Sequence, residues 1–416
     1  MNRYVITGGT PISGEIVCQG AKNSVLPIIA AATMCDSPCT LKNCPEIRDV
    51  AATLAILRHL GCEAEFEGGT LKIGCELSSA EIPDALMREM RSSIILLGAL
   101  LSKHRRANIS FPGGCELGPR PIDLHIASFR KMGVKIEERH GSLICDAEKL
   151  HGAYVHLDFP SVGATENIML LAARAKGRTV VENAAKEPEI EDLQGFLNMC
   201  GARVNGAGTS VIVIDGVAEL HGAEYTIMPD RIVAATYLAA AAITGGTLTV
   251  TGVEPSHLGS IVSIFERSGC ELVIGEDRIT LSREGVIRPV GTVRTMPYPG
   301  FPTDALAPVM AYLSLAKGSS VFFETIFQNR YKHAAELIRM GAAIKVQGSV
   351  AVVEGVRRLS GAKVMATDLR GGAALVIAAL AAEGESEVAG IELIKRGYEK
   401  FDSNLRALGA QIEEHR

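Results

Sequence analysis

Hydrophobic and polar positions along this chain follow a pattern that recurs six times. Each recurrence is marked by the end of an amphipathic helix, then a glycine, then the apolar alternation of a strand. The segments are LRHLGCEAEF around Gly61, FRKMGVKIEE around Gly133 and FLNMCGARVN around Gly201. They continue as FERSGCELVI around Gly269, LIRMGAAIKV around Gly341 and LRALGAQIEE around Gly409. Successive glycines lie 72, 68, 68, 72 and 68 residues apart. A glycine just past a helix reads as its C′ residue, because the left-handed backbone carries no penalty there. Self-similarity at this period identifies one structural unit used repeatedly.

A second helix recurs in each unit, and its start is polar. The six starts are Gly20–Ser24, Glu89–Ser93, Gly163–Asn167, Pro229–Arg231, Pro302–Asp304 and Thr367–Arg370. An Ala- and Leu-rich run follows each, such as LPIIAAAT or IILLGALL. Runs that are apolar nearly all round predict buried helices. Each unit is therefore expected to hold a buried helix, an exposed helix and several strands. The sixth unit stops after one strand, at Gln411–Glu413. Its missing strands are found at the other end of the chain. Arg3–Gly9 followed by Ile12–Val17 matches Val350–Gly355 followed by Leu359–Val364. Residues 1–20 plus 230–416 are thus expected to form one domain and 21–229 the other, with three units each. An open solenoid is the alternative, but completion of the last unit by the first residues implies closure.

Composition narrows the function. A chain of 416 residues exceeds one ordinary core, in keeping with two domains. No apolar run reaches 18 residues, so no membrane insertion is expected. The start MNRYVITGG lacks the basic and apolar regions of a signal peptide, so a cytoplasmic protein with reduced cysteines is expected. A net charge of -5 argues against a general nucleic-acid surface, and the absence of Trp argues against a base-stacking platform. An anionic ligand must then be met by a local cluster of Arg and Lys.

Three groups of residues could carry chemistry. The first is Pro112-Gly113-Gly114-Cys115-Glu116-Leu117-Gly118-Pro119-Arg120-Pro121, a thiol among glycines and prolines with a guanidinium five positions on. Structural cysteines usually sit in buried regular elements, so Cys115 reads as placed to act on a mobile loop. The second group is the polar helix starts, whose N–H groups and partial positive charge attract anions. Lys22, Arg91, Arg231 and Arg370 add full charges there, and Arg120, Arg330 and Arg396 lie in further polar segments. Arginine suits bidentate binding of carboxylate and phosphate. The third is Asp304, in GFPTD, which reads either as a charge complementing a helix N-terminus or as a general base. Asp368 invites the same two readings. Cys35, Cys39 and Cys44 lie close together, but no CxxC or paired His accompanies them, so no structural metal is expected. Asp123 and His125 read as the start and body of an exposed helix rather than a dyad. No GxxxxGK[ST] or strand-linked GxGxxG occurs, so neither ATP nor NAD, nor any other cofactor, is expected.

These segments together resemble the enolpyruvyl transferases, specifically members that act on a nucleotide sugar. The markers are GAKNS, PGGC followed by RPIDLHI, SVGAT, ENAAKEPEIEDL, FPTD, ATDLR and RGYEKFDSNLRALGA, spread over essentially the whole chain. The resemblance implies an α/β fold of two inside-out α/β barrels with the active site in the cleft between them. It implies transfer of the enolpyruvyl group of phosphoenolpyruvate to the 3-hydroxyl of UDP-N-acetylglucosamine, the first committed step of peptidoglycan synthesis. In that reading Cys115 protonates or adds to phosphoenolpyruvate and is the expected target of the inhibitor fosfomycin. Lys22, Arg120 and Arg396 hold the phosphate, Arg330 and Arg370 the carboxylate region, and Asp304 accepts the hydroxyl proton. Asn23, Arg91, Pro121, Ile122, Asp123, Leu124, Ser161, Val162, Gly163 and Ile326 line the nucleotide-sugar site, and Asp368 belongs with the substrate-binding set. Two positions depart from the family pattern. Leu157-Asp158-Phe159-Pro160 lacks the basic residue often found before SVGAT, and Val233 stands where an acidic residue is common. The alternatives are a transferase acting on shikimate 3-phosphate and a non-catalytic regulator that binds a UDP-sugar.

Overall fold

The computed structural model describes residues 2–74, 76–111 and 122–416. The chain divides into two compact units, each with its own apolar core. One unit takes the chain up to Gln19 together with Pro229–Arg416, and the other takes the described residues from Gly20 to Met228. Among the described residues each contains three four-stranded sheets. No helix among the described residues is long and apolar enough to cross a membrane.

The repeating unit is seen whole between Gly291 and Glu354. Strand Gly291–Arg294 leads into the buried helix Thr303–Leu313 and returns as Ser319–Phe323, parallel to the first strand. The outer helix Lys332–Arg339 and the hairpin Ala343–Gln347 and Val350–Glu354 follow. The last strand pairs antiparallel with the second, so the spatial order is first, second, fourth, third. A parallel pair needs a crossover, and the buried helix supplies it.

In the first unit, the helices Arg231–Thr244, Thr303–Leu313 and Leu369–Ala381 pack against one another at the centre. In the second, Lys22–Ala32, Leu96–His104 and Val162–Ala172 do the same. Nearly every residue of these helices is buried. Their apolar character on all sides is what allows this: a one-sided helix would bury polar groups against its neighbours. Runs such as Ala239–Ala242 keep the side chains short where helices meet. The strands of the sheets alternate buried positions with more exposed ones, as in Arg178–Glu182. Buried helices packed together with sheets around them is the inside-out α/β arrangement that the resemblance implies.

Each sheet whose repeat is incomplete in sequence borrows a strand. Arg3–Thr7 lies between Glu385–Ala389 and Gln411–His415, antiparallel to both, and Gly14–Val17 runs parallel to Thr247–Thr251. In the second unit, Glu224–Thr226 pairs parallel with Cys39–Lys42, so the strand after the third repeat completes the sheet of the first. The sequence reading did not assign Glu224–Thr226 this partner.

The six marker glycines share one geometry. Gly61, Gly133, Gly201, Gly269, Gly341 and Gly409 have φ between 87° and 100°. In the first, the Gly61 N–H donates to the Arg58 carbonyl and the Cys62 N–H to the Leu57 carbonyl. The other five repeat the same two bonds, as at Gly409 with Arg406 and at Ala410 with Leu405. This paired closure satisfies helix-end carbonyls and turns the chain into the next strand. One helix start differs from the sequence expectation. The segment after Glu89 forms a tighter 3₁₀ turn, Arg91–Ile95, before the helix Leu96–His104 begins. The Ser93 hydroxyl donates to the carbonyls of Met87 and Met90, 3.1 and 2.7 Å away, and holds that turn.

Candidate functional site

In the first unit, the starts of the central helices bring charged side chains together. Asp304 lies in the first turn of Thr303–Leu313, and no side chain caps that helix at Pro302. Its carboxylate accepts from Arg330 Nη2 at 3.1 Å and from Arg370 Nε at 3.3 Å. Both guanidiniums are buried, whereas the Asp304 side chain keeps 27% of its surface. Arg330 is further fixed by two bonds, from Nε and Nη2, to the Thr303 carbonyl. Its Nη1 stands 4.0 Å from Asp368 Oδ1. Arg370 stacks over the Tyr398 ring at 5.2 Å, and the Tyr398 hydroxyl meets Thr236 Oγ1 at 2.9 Å.

Of the two readings open for Asp368, the helix-cap reading describes its bonds: Oδ1 accepts from the Arg370 and Gly371 N–H groups. Asp230 caps Arg231–Thr244 in the same way through the Ile232 and Val233 N–H groups. Val233, one of the two departures, is thus a buried position of a capped first turn. Arg231 sits over the Tyr298 ring at 5.6 Å. Asp304 differs from these caps, since its carboxylate goes to two arginines rather than to helix N–H groups.

Arg396 ends the short turn Ile394–Arg396 and is half-buried. The next residues are held by Gln19, whose amide donates to the Gly397 carbonyl and accepts from the Glu399 N–H. Ile326 is half-buried, and its N–H donates to Glu324.

Three residues escaped the sequence reading: Gln19, Glu324 and His333. Buried His333 bonds the Arg330 carbonyl through Nδ1 at 3.1 Å, so that nitrogen carries the proton. Burial pushes its pKa down to about 4, with Asp368 opposing and Arg330 reinforcing the shift, so the ring is neutral near pH 7. No local motif marks any of the three. Glu324 and His333 fall within the segment that also holds Arg330, and that proximity is the one available signal.

The second unit holds the remaining candidates. Lys22 opens its helix buried, with Nζ 2.8 Å from Asp49 Oδ2. Asn23 follows it, half-buried, and Ser24 donates to Asp192, which also accepts from Tyr225 and the Met228 N–H. Ser161 caps Val162–Ala172 by accepting from the Ala164 N–H, with Val162 and Gly163 half-buried beside it. Ile122 is buried, Asp123 exposed and Leu124 half-buried at the start of Asp123–Lys131. A Cβ on Gly163 would lie 3.5 Å from the His125 ring, so these two helix starts adjoin.

Asn167 decides the state of His125. Its Oδ1 accepts from the Gly98 N–H and its Nδ2 donates to the Ile94 carbonyl, which fixes the amide's orientation. The same Nδ2 meets His125 Nδ1 at 2.9 Å, so that nitrogen accepts and the proton resides on Nε2. His125 is therefore partnered to Asn167, while Asp123 is exposed. Burial, with Glu189 and Glu187 nearby, pushes the Glu166 carboxyl well above the usual range.

Cys115, Arg120 and Pro121 lie outside the described residues, as does the side chain of Arg91. The eight described cysteines are all buried. Burial pushes Cys44 and Cys145 up to about 12, which keeps them protonated. The sulfurs of Cys35, Cys39 and Cys200 lie within 4.8 Å of one another, so Cys200 rather than the sequence neighbour Cys44 is the third of this group. All three belong to the apolar core, where cysteine packs as a small hydrophobe.

A partly exposed carboxylate between two buried guanidiniums can accept a proton, and the guanidiniums suit anionic groups. The family profile described as EPSP synthase (3-phosphoshikimate 1-carboxyvinyltransferase) matches residues 6–405, so the chain belongs to this family of enolpyruvyl transferases. Within it, the chain is 52% identical to UDP-N-acetylglucosamine 1-carboxyvinyltransferase 2 of Caldanaerobacter subterraneus subsp. tengcongensis, over 99% of each chain. It is 47% identical to UDP-N-acetylglucosamine 1-carboxyvinyltransferase of Nitratidesulfovibrio vulgaris, again over 99% of each. Among solved structures, the enolpyruvyl transferase NikO from Streptomyces tendae matches with a TM-score of 0.91 and 26% identity, covering 99% of this chain and 98% of that one. EPSP synthase from Acinetobacter baumannii matches in fold, with a TM-score of 0.78, 21% identity and full coverage of both chains.

Proposed function

We propose that this chain is an enzyme that transfers the enolpyruvyl group of phosphoenolpyruvate to the 3-hydroxyl of UDP-N-acetylglucosamine and releases phosphate. The observation that carries this reading is identity of 46 to 52% over 99% of the chain to relatives bearing that activity as their name. Transfer to shikimate 3-phosphate has weaker support, since the EPSP synthase structures share 20 to 21% identity. The product opens peptidoglycan synthesis, and we assign the work to the cytoplasm, where nucleotide sugars are available.

The chemistry sets what the residues must do. Phosphoenolpyruvate is inert to an alcohol until C3 gains a proton and C2 gains cationic character. Asp304 takes the proton of the sugar hydroxyl as its oxygen bonds to C2, while an acid protonates C3. The adduct is a tetrahedral phospholactoyl ether. Loss of a C3 proton and cleavage of the C2–O bond to phosphate then yield the enol ether and free phosphate. Cys115 is the candidate acid or nucleophile at phosphoenolpyruvate. Arg330 and Arg370 are assigned to the carboxylate region, and Lys22, Arg120 and Arg396 to the phosphate, where fixed cations stabilise developing charge. Asn23, Arg91, Pro121 to Leu124, Ser161 to Gly163, Ile326 and Asp368 are assigned to the nucleotide sugar and its surroundings. The Asp304 carboxylate keeps part of its surface open, and that access supports its role as base.

The test is phosphate release from purified protein with phosphoenolpyruvate and UDP-N-acetylglucosamine, with shikimate 3-phosphate as control acceptor. Release with the nucleotide sugar alone is expected. Release with shikimate 3-phosphate alone would transfer the assignment to the sister reaction. Sugar binding with no release would make the chain a regulator.

A further inference from the structure

Glu324 stands just after strand Ser319–Phe323 and is 3% exposed. A carboxylate is kept in such a place only when strong donors satisfy it. Its Oε1 accepts from the Ile326 N–H at 2.6 Å and the Phe327 N–H at 2.9 Å, and its Oε2 accepts from the Thr303 hydroxyl at 2.8 Å. These bonds join two segments. One is the loop that runs from Thr325 to Arg330. The other is the first turn of the helix that carries Asp304. Thr303 completes the circuit, because its carbonyl accepts both Arg330 Nε and Nη2.

Other contacts hold the loop as well, among them the Arg330 guanidinium 5.8 Å from the Phe327 ring. Thr325, Gln328 and Asn329 are exposed. Thr325 is tied to Thr295 at one end, and the Tyr331 hydroxyl bonds the Phe322 carbonyl at the other. Glu324 bonds the middle of the loop through the Ile326 and Phe327 N–H groups. We propose that Glu324 is a positioning residue that fixes Arg330 against Asp304, a role that rests on the function proposed above. It does not touch the reacting atoms. It sets the height of the loop and the orientation of Thr303, and through them the guanidinium that faces the base.

The test compares E324A and E324Q with the wild-type chain. Gln keeps an oxygen for the two loop N–H groups, and its amide can donate to Thr303 Oγ1, so the circuit survives with one bond reversed. In E324A, kcat is expected to fall about tenfold to a hundredfold, the scale of a small misplacement of reacting groups. E324Q is expected to recover most of that loss. Hydrogen exchange of the Ile326 and Phe327 amides, read by mass spectrometry, is expected to rise in E324A and stay low in E324Q. Three results would each overturn the proposal: full turnover in E324A, unchanged exchange in E324A, or E324Q as inactive as E324A. A wild-type chain that releases no phosphate would overturn the function itself, and the exchange data would then decide alone whether Glu324 holds the loop.

Discussion

Replacing Asp304 by Asn separates the chemistry of the carboxylate from its part in holding the fold. The two carboxylate oxygens accept separately, one from Arg330 Nη2 and one from Arg370 Nε. The amide keeps one acceptor and turns a donor toward a guanidinium, so one charge-assisted bond is lost. Such bonds contribute about 1.5 to 3 kcal/mol, and water at the 27% exposed side chain screens part of this. A stability loss of about 1 to 2 kcal/mol is expected. Loss of a general base removes about two to four powers of ten in rate, or about 3 to 5.5 kcal/mol of transition-state stabilisation. The kinetic effect should therefore exceed the structural one. Phosphate release at saturating substrates, calorimetric titration with UDP-N-acetylglucosamine and a thermal melt measure the three quantities. The expected result is turnover reduced at least a hundredfold, sugar affinity within a few-fold of wild type and a slightly lower Tm. A rate within tenfold of wild type would remove Asp304 as the base. Parallel collapse of rate, affinity and Tm would make its role structural.

Other consequences are open to direct measurement. Fosfomycin should add at Cys115 and at none of the eight described cysteines, which are buried; peptide mapping that finds the adduct on one of those eight would refute this. His333 has a folded pKa of about 4 against an ordinary 6.5, so the unfolded chain binds the extra proton first as pH falls. Stability from this residue is then complete above about pH 6.5 and is lost toward pH 4, by on the order of 3 kcal/mol. H333N, which keeps a donor for the Arg330 carbonyl, should flatten that part of the slope in urea unfolding between pH 7 and 5; an unchanged slope would refute it. Gly341→Ala should destabilise by about 1 to 2 kcal/mol from backbone strain alone, since no atom lies within 4 Å of the new Cβ. Gly133→Ala should lose clearly more, because its Cβ would stand 2.5 Å from the Lys149 carbonyl oxygen. Equal urea midpoints for the two variants would contradict the steric argument.

The sequence by itself determined the elements, the repeat and the family. Six glycines at near-constant spacing, each after an amphipathic helix, mark a local event, because helix closure depends on residues within two turns. The buried helices were legible for a similar reason, since an apolar surface on all sides admits no exposed face. Candidate charges at helix starts were also visible. Their partners were not. Asp304 bonds Arg330 and Arg370, 26 and 66 residues later, and nothing in either neighbourhood distinguishes Asp304 from the capping residue Asp368. That distinction is made by which helix starts meet and by the direction in which each carboxylate is satisfied. Strand borrowing was decided at the same level, as with Glu224–Thr226 beside Cys39–Lys42, because sheet partners are chosen by packing across the whole unit. His333 and Glu324 acquired roles only through burial, which obliges a polar side chain to find specific partners and so ties it to Arg330 and Thr303.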